Sequence, residues 1–176
     1  MVMDTERDRR LDSYLNDHLA GSAGAIRLAE RYRDREPGTE LGALLGELVP
    51  EIEQDRDVLR QIMERVGTSA NPVKQAGALG AELLTSLRGR VPMLGAGSAE
   101  VARLEEIELL TLGVEGKRLL WKALGRLARS DARLAGFSFT ELAKRAKAQR
   151  DRLEPFRLKL AREAFAPGPR RAVSPR

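Results

Sequence analysis

At 176 residues the chain fits one domain large enough to bury about 70% of its unfolded surface, so its core needs no covalent staple. Its cysteine count of zero excludes disulfides, thiolate metal sites and cysteine nucleophiles together, and is consistent with a reducing, cytoplasmic setting. The net charge of +5 hides an asymmetry: residues 1–115 hold 14 basic against 21 acidic side chains, and residues 116–176 hold 17 against 5.

The opening MVMDTERDRR is charged and runs into a helical pattern, which argues against a signal peptide. No apolar run approaches the roughly 20 residues that span a bilayer, so no transmembrane segment is expected. The basic half could attract nucleic acid, acidic lipid or an acidic protein. Against this stands a solvated face with a dipolar charge layout. Four Phe, two Tyr and one Trp leave few side chains to stack on bases.

Residues 5–35 carry Leu11, Leu15, Ser22, Ile26, Ala29 and Tyr32 at intervals of threes and fours, which predicts a first long helix ending at Glu36-Pro37-Gly38. A second stripe, Leu41, Leu45, Leu48, Ile52, Leu59, Ile62 and Val66, predicts a helix stopped by Gly67 and kinked, or reset in its start, by Pro50. Asn71-Pro72 then reads as the opening of a shorter helix to about Arg88, followed by a loop at 91–98. Ser98 is expected to cap a third long helix reaching about Arg129. Ser138 and Glu141 form a capping-box pattern ahead of a fourth, with Phe137 placed as a hydrophobic staple and the end near Phe165. The bundle is thus expected over 1–166, with 167–176 as a disordered basic tail.

The four long helices give an all-α fold. Short turns make two antiparallel hairpins, while about thirty residues join the second helix to the third. That is long enough to cross a bundle end to end, so up-down-down-up connectivity with a helical crossover is expected, ahead of simple up-and-down.

Polar residues interrupt the apolar stripes. His18, the single histidine, falls inside the first stripe and Asp55 inside the second, with Glu51 one turn earlier. His18 and Asp55 lie nearly equally far from the turn at 36–37, so a buried pair is expected. On the third helix Glu105 falls beside Leu109, Leu112, Gly116 and Leu119. On the fourth, Gln149 interrupts Phe139, Leu142, Ala146, Leu153, Phe156 and Leu160.

Mid-helix glycines at 21, 24, 42, 46, 77, 80, 113 and 116 each cost about 1 kcal/mol relative to alanine. Close backbone approach, with notches facing large residues such as Trp121 or Tyr14, is the expected offset. A ligand or lipid seated in such a notch is the alternative.

The runs DHLAGSAGAIRLAER, EIEQDRDVLRQIM and LEEIELLTLGVEGKRLLWKAL, with inward carboxylates on four long helices, resemble the ferritin-like superfamily over residues 5–165. That resemblance implies two irons or manganese ions held by carboxylates on two helices and a Glu-x-x-His pair on each of the other two. This sequence has no Glu-x-x-His; Gln54 stands three after Glu51. The expectation is a non-enzymatic binding or structural bundle without the metal centre, able to self-associate. The alternative is a metal-binding enzyme or storage protein using iron or manganese on His18, Glu51, Asp55 and Glu105.

Overall fold

A computed structural model describes residues 5–71 and 98–166. Among them are four α-helices, α1 (Thr5–Arg35), α2 (Glu40–Val66), α3 (Ala99–Leu127) and α4 (Phe139–Ala164), one 3-10 turn at Ala132–Leu134, and no strand. The chain is all-α. The expected helix from Asn71-Pro72 to Arg88, the loop over 91–97, Gly77, Gly80 and the basic tail lie outside the described residues.

The α1–α2 turn follows from its breakers. Gly38 takes φ 73°, and Thr39, in extended conformation, accepts a hydrogen bond from the Gly42 N–H at 3.0 Å. A Cβ on Gly42 would overlap the Glu36 carbonyl oxygen, so this glycine serves a close backbone approach. Gly42→Ala is therefore expected to lower the melting temperature although alanine is the better helix former. A melting temperature equal to or above that of the parent would refute this.

α2 runs unbroken through the exposed Pro50, so its start is not reset. Gly67 closes it at φ 79°, donating to the Met63 and Glu64 carbonyls while the Thr68 N–H reaches Met63 at 2.8 Å.

Ser138 is the N-cap residue of α4, but the capping box does not form. With ψ at 73° rather than the 156° of Thr39, Ser138 makes no side-chain cap bond, and Glu141 turns to Lys144 at 2.8 Å. The helix start is held by packing instead. Phe139 is buried, and the Arg65 guanidinium lies 5.1 Å from the Phe137 ring centre while donating to the Ala135 carbonyl at 2.8 Å.

α1 packs on α2, α3 on α4 and α1 on α3, with lighter contact between α2 and α4. At one end the Tyr32 hydroxyl donates to the Arg103 carbonyl and Arg103 pairs with Glu36 at 2.8 Å. At the other, Arg7 pairs with Asp131, and Arg133 bridges Asp8, Asp131 and the Val66 carbonyl.

The apolar interior divides in two. One cluster gathers Ile26, Tyr32, Leu45, Leu48, Ile52, Ile107, Val114 and Leu153. The other gathers Leu15, Leu19, Leu59, Ile62, Leu120, Trp121, Leu124 and Ala146. Each helix changes cluster across a polar residue: Ser22 on α1, Asp55 on α2, Lys117 on α3 and Gln149 on α4.

On α3 the buried stripe is Leu104, Ile107, Leu110, Val114, Leu120, Trp121 and Leu124. The expected stripe through Leu112 and Leu119 is wrong, since these are 66% and 51% exposed. The helix carries two apolar stripes, and the one bearing Trp121 faces inward because it removes more apolar surface from water.

Candidate binding site

The polar layer is built around Asp55, which is 1% exposed. Its Oδ2 accepts from the Lys117 ammonium at 2.5 Å and from the Gln149 amide at 3.2 Å, and its Oδ1 accepts from Arg145. Gln149 returns its Oε1 to Lys117 at 2.5 Å, so both ends of the amide are used. Glu51 completes the network, accepting from Gln149 at 3.1 Å and from Arg152 at 2.6 Å. Burial pushes the Lys117 ammonium below its ordinary pKa, with the Asp55 carboxylate acting in the opposite sense.

Asp55 and Gln149 are buried as the stripes require. The expected His18–Asp55 pair is not formed: no hydrogen bond or ion pair joins them among the described residues. Both line one cavity, but Asp55 finds two cations on α3 and α4, while His18 packs edge-on against Tyr14 at 4.7 Å between ring centres. A carboxylate at the centre of four helices gains more from charged partners than from a neutral imidazole.

Glu105 is half-buried and stands twelve residues from Lys117 along α3, roughly 18 Å at 1.5 Å per residue. The inward polar group of α3 is Lys117. Its spacing after Leu110 and Val114, and before Trp121 and Leu124, is the same three-and-four pattern, and that was the available signal. Arg145, four residues before Gln149, shares its helix face. Asn16, 2% exposed, was also passed over. It donates to Ser69 and accepts from the Asn71 N–H at 2.7 Å, tying α1 to the segment after α2.

The donor set does not suit a di-metal centre. Glu51 and Asp55 are brought together, but each of their oxygens already accepts from Lys117, Arg145, Arg152 or Gln149. Among the described residues no three His, Asp or Glu converge to hold a metal ion.

Beside this layer, between α1 and α3 and floored by α2, lies a cavity of about 440 Å³. Gly21 and Gly116 in its wall face open space rather than large side chains, which corrects their expected role as packing notches; Gly113 does face a neighbour, Ala25.

Burial lowers the His18 pKa below its ordinary 6.5, against the pull of Asp17. The unfolded chain therefore takes up this proton first as pH falls. The contribution is complete above about pH 6.5 and is lost as pH drops through the folded value. His18→Gln should flatten that limb of the melting-temperature profile, and an unchanged slope below pH 6.5 would speak against it.

A second groove, between α3 and α4, is edged by Arg118, Lys122, Arg126, Arg129, Lys144 and Lys147. The side chains of Lys122, Arg126 and Arg129 have no hydrogen-bond or ion-pair partner among the described residues. Among those residues no helix is long and apolar enough to cross a membrane.

No protein-family model matches the chain, and no curated protein and no solved structure is similar to it.

Proposed function

We propose that the chain is a ferritin-like bundle of up-down-down-up connectivity that works as a non-enzymatic binding protein, with its own cations where a metal centre would stand. The observation that carries this is the Asp55 and Glu51 pair, whose charges are met by Lys117, Arg145 and Arg152. The end contacts support the connectivity. Val66, at the end of α2, receives a bond from Arg133 beyond the end of α3, while Glu36, just before α2, pairs with Arg103 near the start of α3. The end of α2 and the start of α3 thus lie at opposite ends of the bundle, about 40 Å apart for a helix the length of α2, which favours a crossover.

Metal analysis and calorimetric titration test the reading. The purified protein should carry no stoichiometric iron or manganese, and adding Mn(II) or Fe(II) should leave its melting temperature unchanged. Stoichiometric metal that vanishes in Asp55→Ala would instead establish the metal-binding alternative, with Glu51 and Glu105 as further candidates.

The α3–α4 groove favours a second reading, an acidic partner. Its Lys122, Arg126 and Arg129 side chains, without partners among the described residues, would give affinity for heparin or DNA that falls steeply with salt. No binding at low salt would leave only a solvated basic face. Self-association fits the exposed Leu158 and Phe165 on α4 and its cap.

A further inference from the structure

Four buried side-chain nitrogens among the described residues lack a hydrogen-bond partner, and two of them, Arg56 Nε and Trp121 Nε1, belong to residues lining the cavity between α1 and α3. Such orphans are uncommon in native interiors and call for a specific cause. Trp121 is 1% exposed, so water does not ordinarily satisfy its indole N–H. Arg56 has no hydrogen-bond or ion-pair partner among the described residues.

Both lie within a helical turn or so of the contact between Asp55 and Lys117, Arg56 one residue after Asp55 and Trp121 four after Lys117. The donors therefore sit near one level of the bundle. Apart from Asp17, His18 and Ser22 on α1, the remaining wall is apolar, contributed by residues such as Leu28, Leu59, Leu109 and Leu120, with Gly21 and Gly116 leaving open space. Asp55 is already shared between Lys117 and Arg145. In the wall itself Lys117 and Arg56 are matched in number by Asp55 and Asp17, and Arg56 is the cation there that no carboxylate pairs with among the described residues. A volume of about 440 Å³ is within the range of sites for small organic ligands, roughly 300–1,000 Å³.

We propose that this cavity binds a small amphipathic carboxylate, such as a medium-chain fatty acid, with its head group accepting from Arg56 and Trp121 and its tail along the glycine-lined wall. Arginine suits the head because its planar fork matches a carboxylate, and the apolar wall suits the tail. This names a ligand class for the binding protein proposed above and rests on that reading.

The single tryptophan of the chain lies in the cavity wall, so Trp121 fluorescence reports occupancy directly. Full-length protein titrated with dodecanoate should show a saturable change with one site per chain, and dodecanol should bind at least about tenfold more weakly. Arg56→Gln should weaken dodecanoate by about tenfold and leave dodecanol unchanged. Gly116→Phe, which fills open space, should abolish both while the helical circular dichroism persists. Binding that ignores both substitutions, equal affinity for acid and alcohol, or no binding to the folded parent protein would each overturn the proposal. A metal-free protein that fails this test loses only the ligand, whereas stoichiometric metal removes the underlying reading as well.

Discussion

Replacing Asp55 with alanine is expected to destabilise the fold by about 3–5 kcal/mol, because it leaves the Lys117 ammonium uncompensated in the interior. Lys117 has only 12% of its side chain exposed, whereas Arg145, at 37%, can turn outward. Urea unfolding would measure the loss. His18→Ala should cost less, since His18 gives up only its packing on Tyr14. Equal losses at the two positions would restore the pair expected from sequence.

Trp121→Ala should be comparably damaging, about 3–5 kcal/mol, through the lost transfer free energy of the indole and the void left among Leu120, Leu124 and their neighbours. Trp121→Phe should cost clearly less. The indole N–H has no partner among the described residues, so the change sacrifices volume but no hydrogen bond there. A phenylalanine variant as unstable as the alanine variant would show that the N–H is engaged in the native protein, and thermal melts of the two decide it.

Much of the fold was legible because its punctuation is strong. Pro37-Gly38 and Gly67 fix the ends of α1 and α2, since each glycine supplies a left-handed residue that others adopt at a cost. The burial of Asp55 and Gln149 was legible from helical period alone. Their partners were not. Periodicity gives the direction of a side chain about its own helix, and equal height above a turn singled out His18. In a four-helix interior the same side chain also meets two further helices, and those carry Lys117, Arg145 and Gln149.

Lys117 is hard to single out from sequence because a lysine in an apolar stripe reads as an interruption. The competing stripe through Leu109, Leu112 and Leu119 then drew attention to Glu105. The capping box failed for a different reason: Ser138 and Glu141 are the right residues at the right spacing, but the backbone angle that aims the hydroxyl is set by the packing of Phe137 and Phe139.

The most direct measurement is a double-mutant cycle between Asp55 and Lys117, using Asp55→Leu, Lys117→Met and both together, in buffer with and without a chelator. If the chain's own cations hold its interior carboxylates, the double variant should be more stable than the sum of the single losses implies, by roughly 0.5–3 kcal/mol, and chelator should leave every variant unchanged. Additive losses, or a parent protein that chelator destabilises, would contradict it.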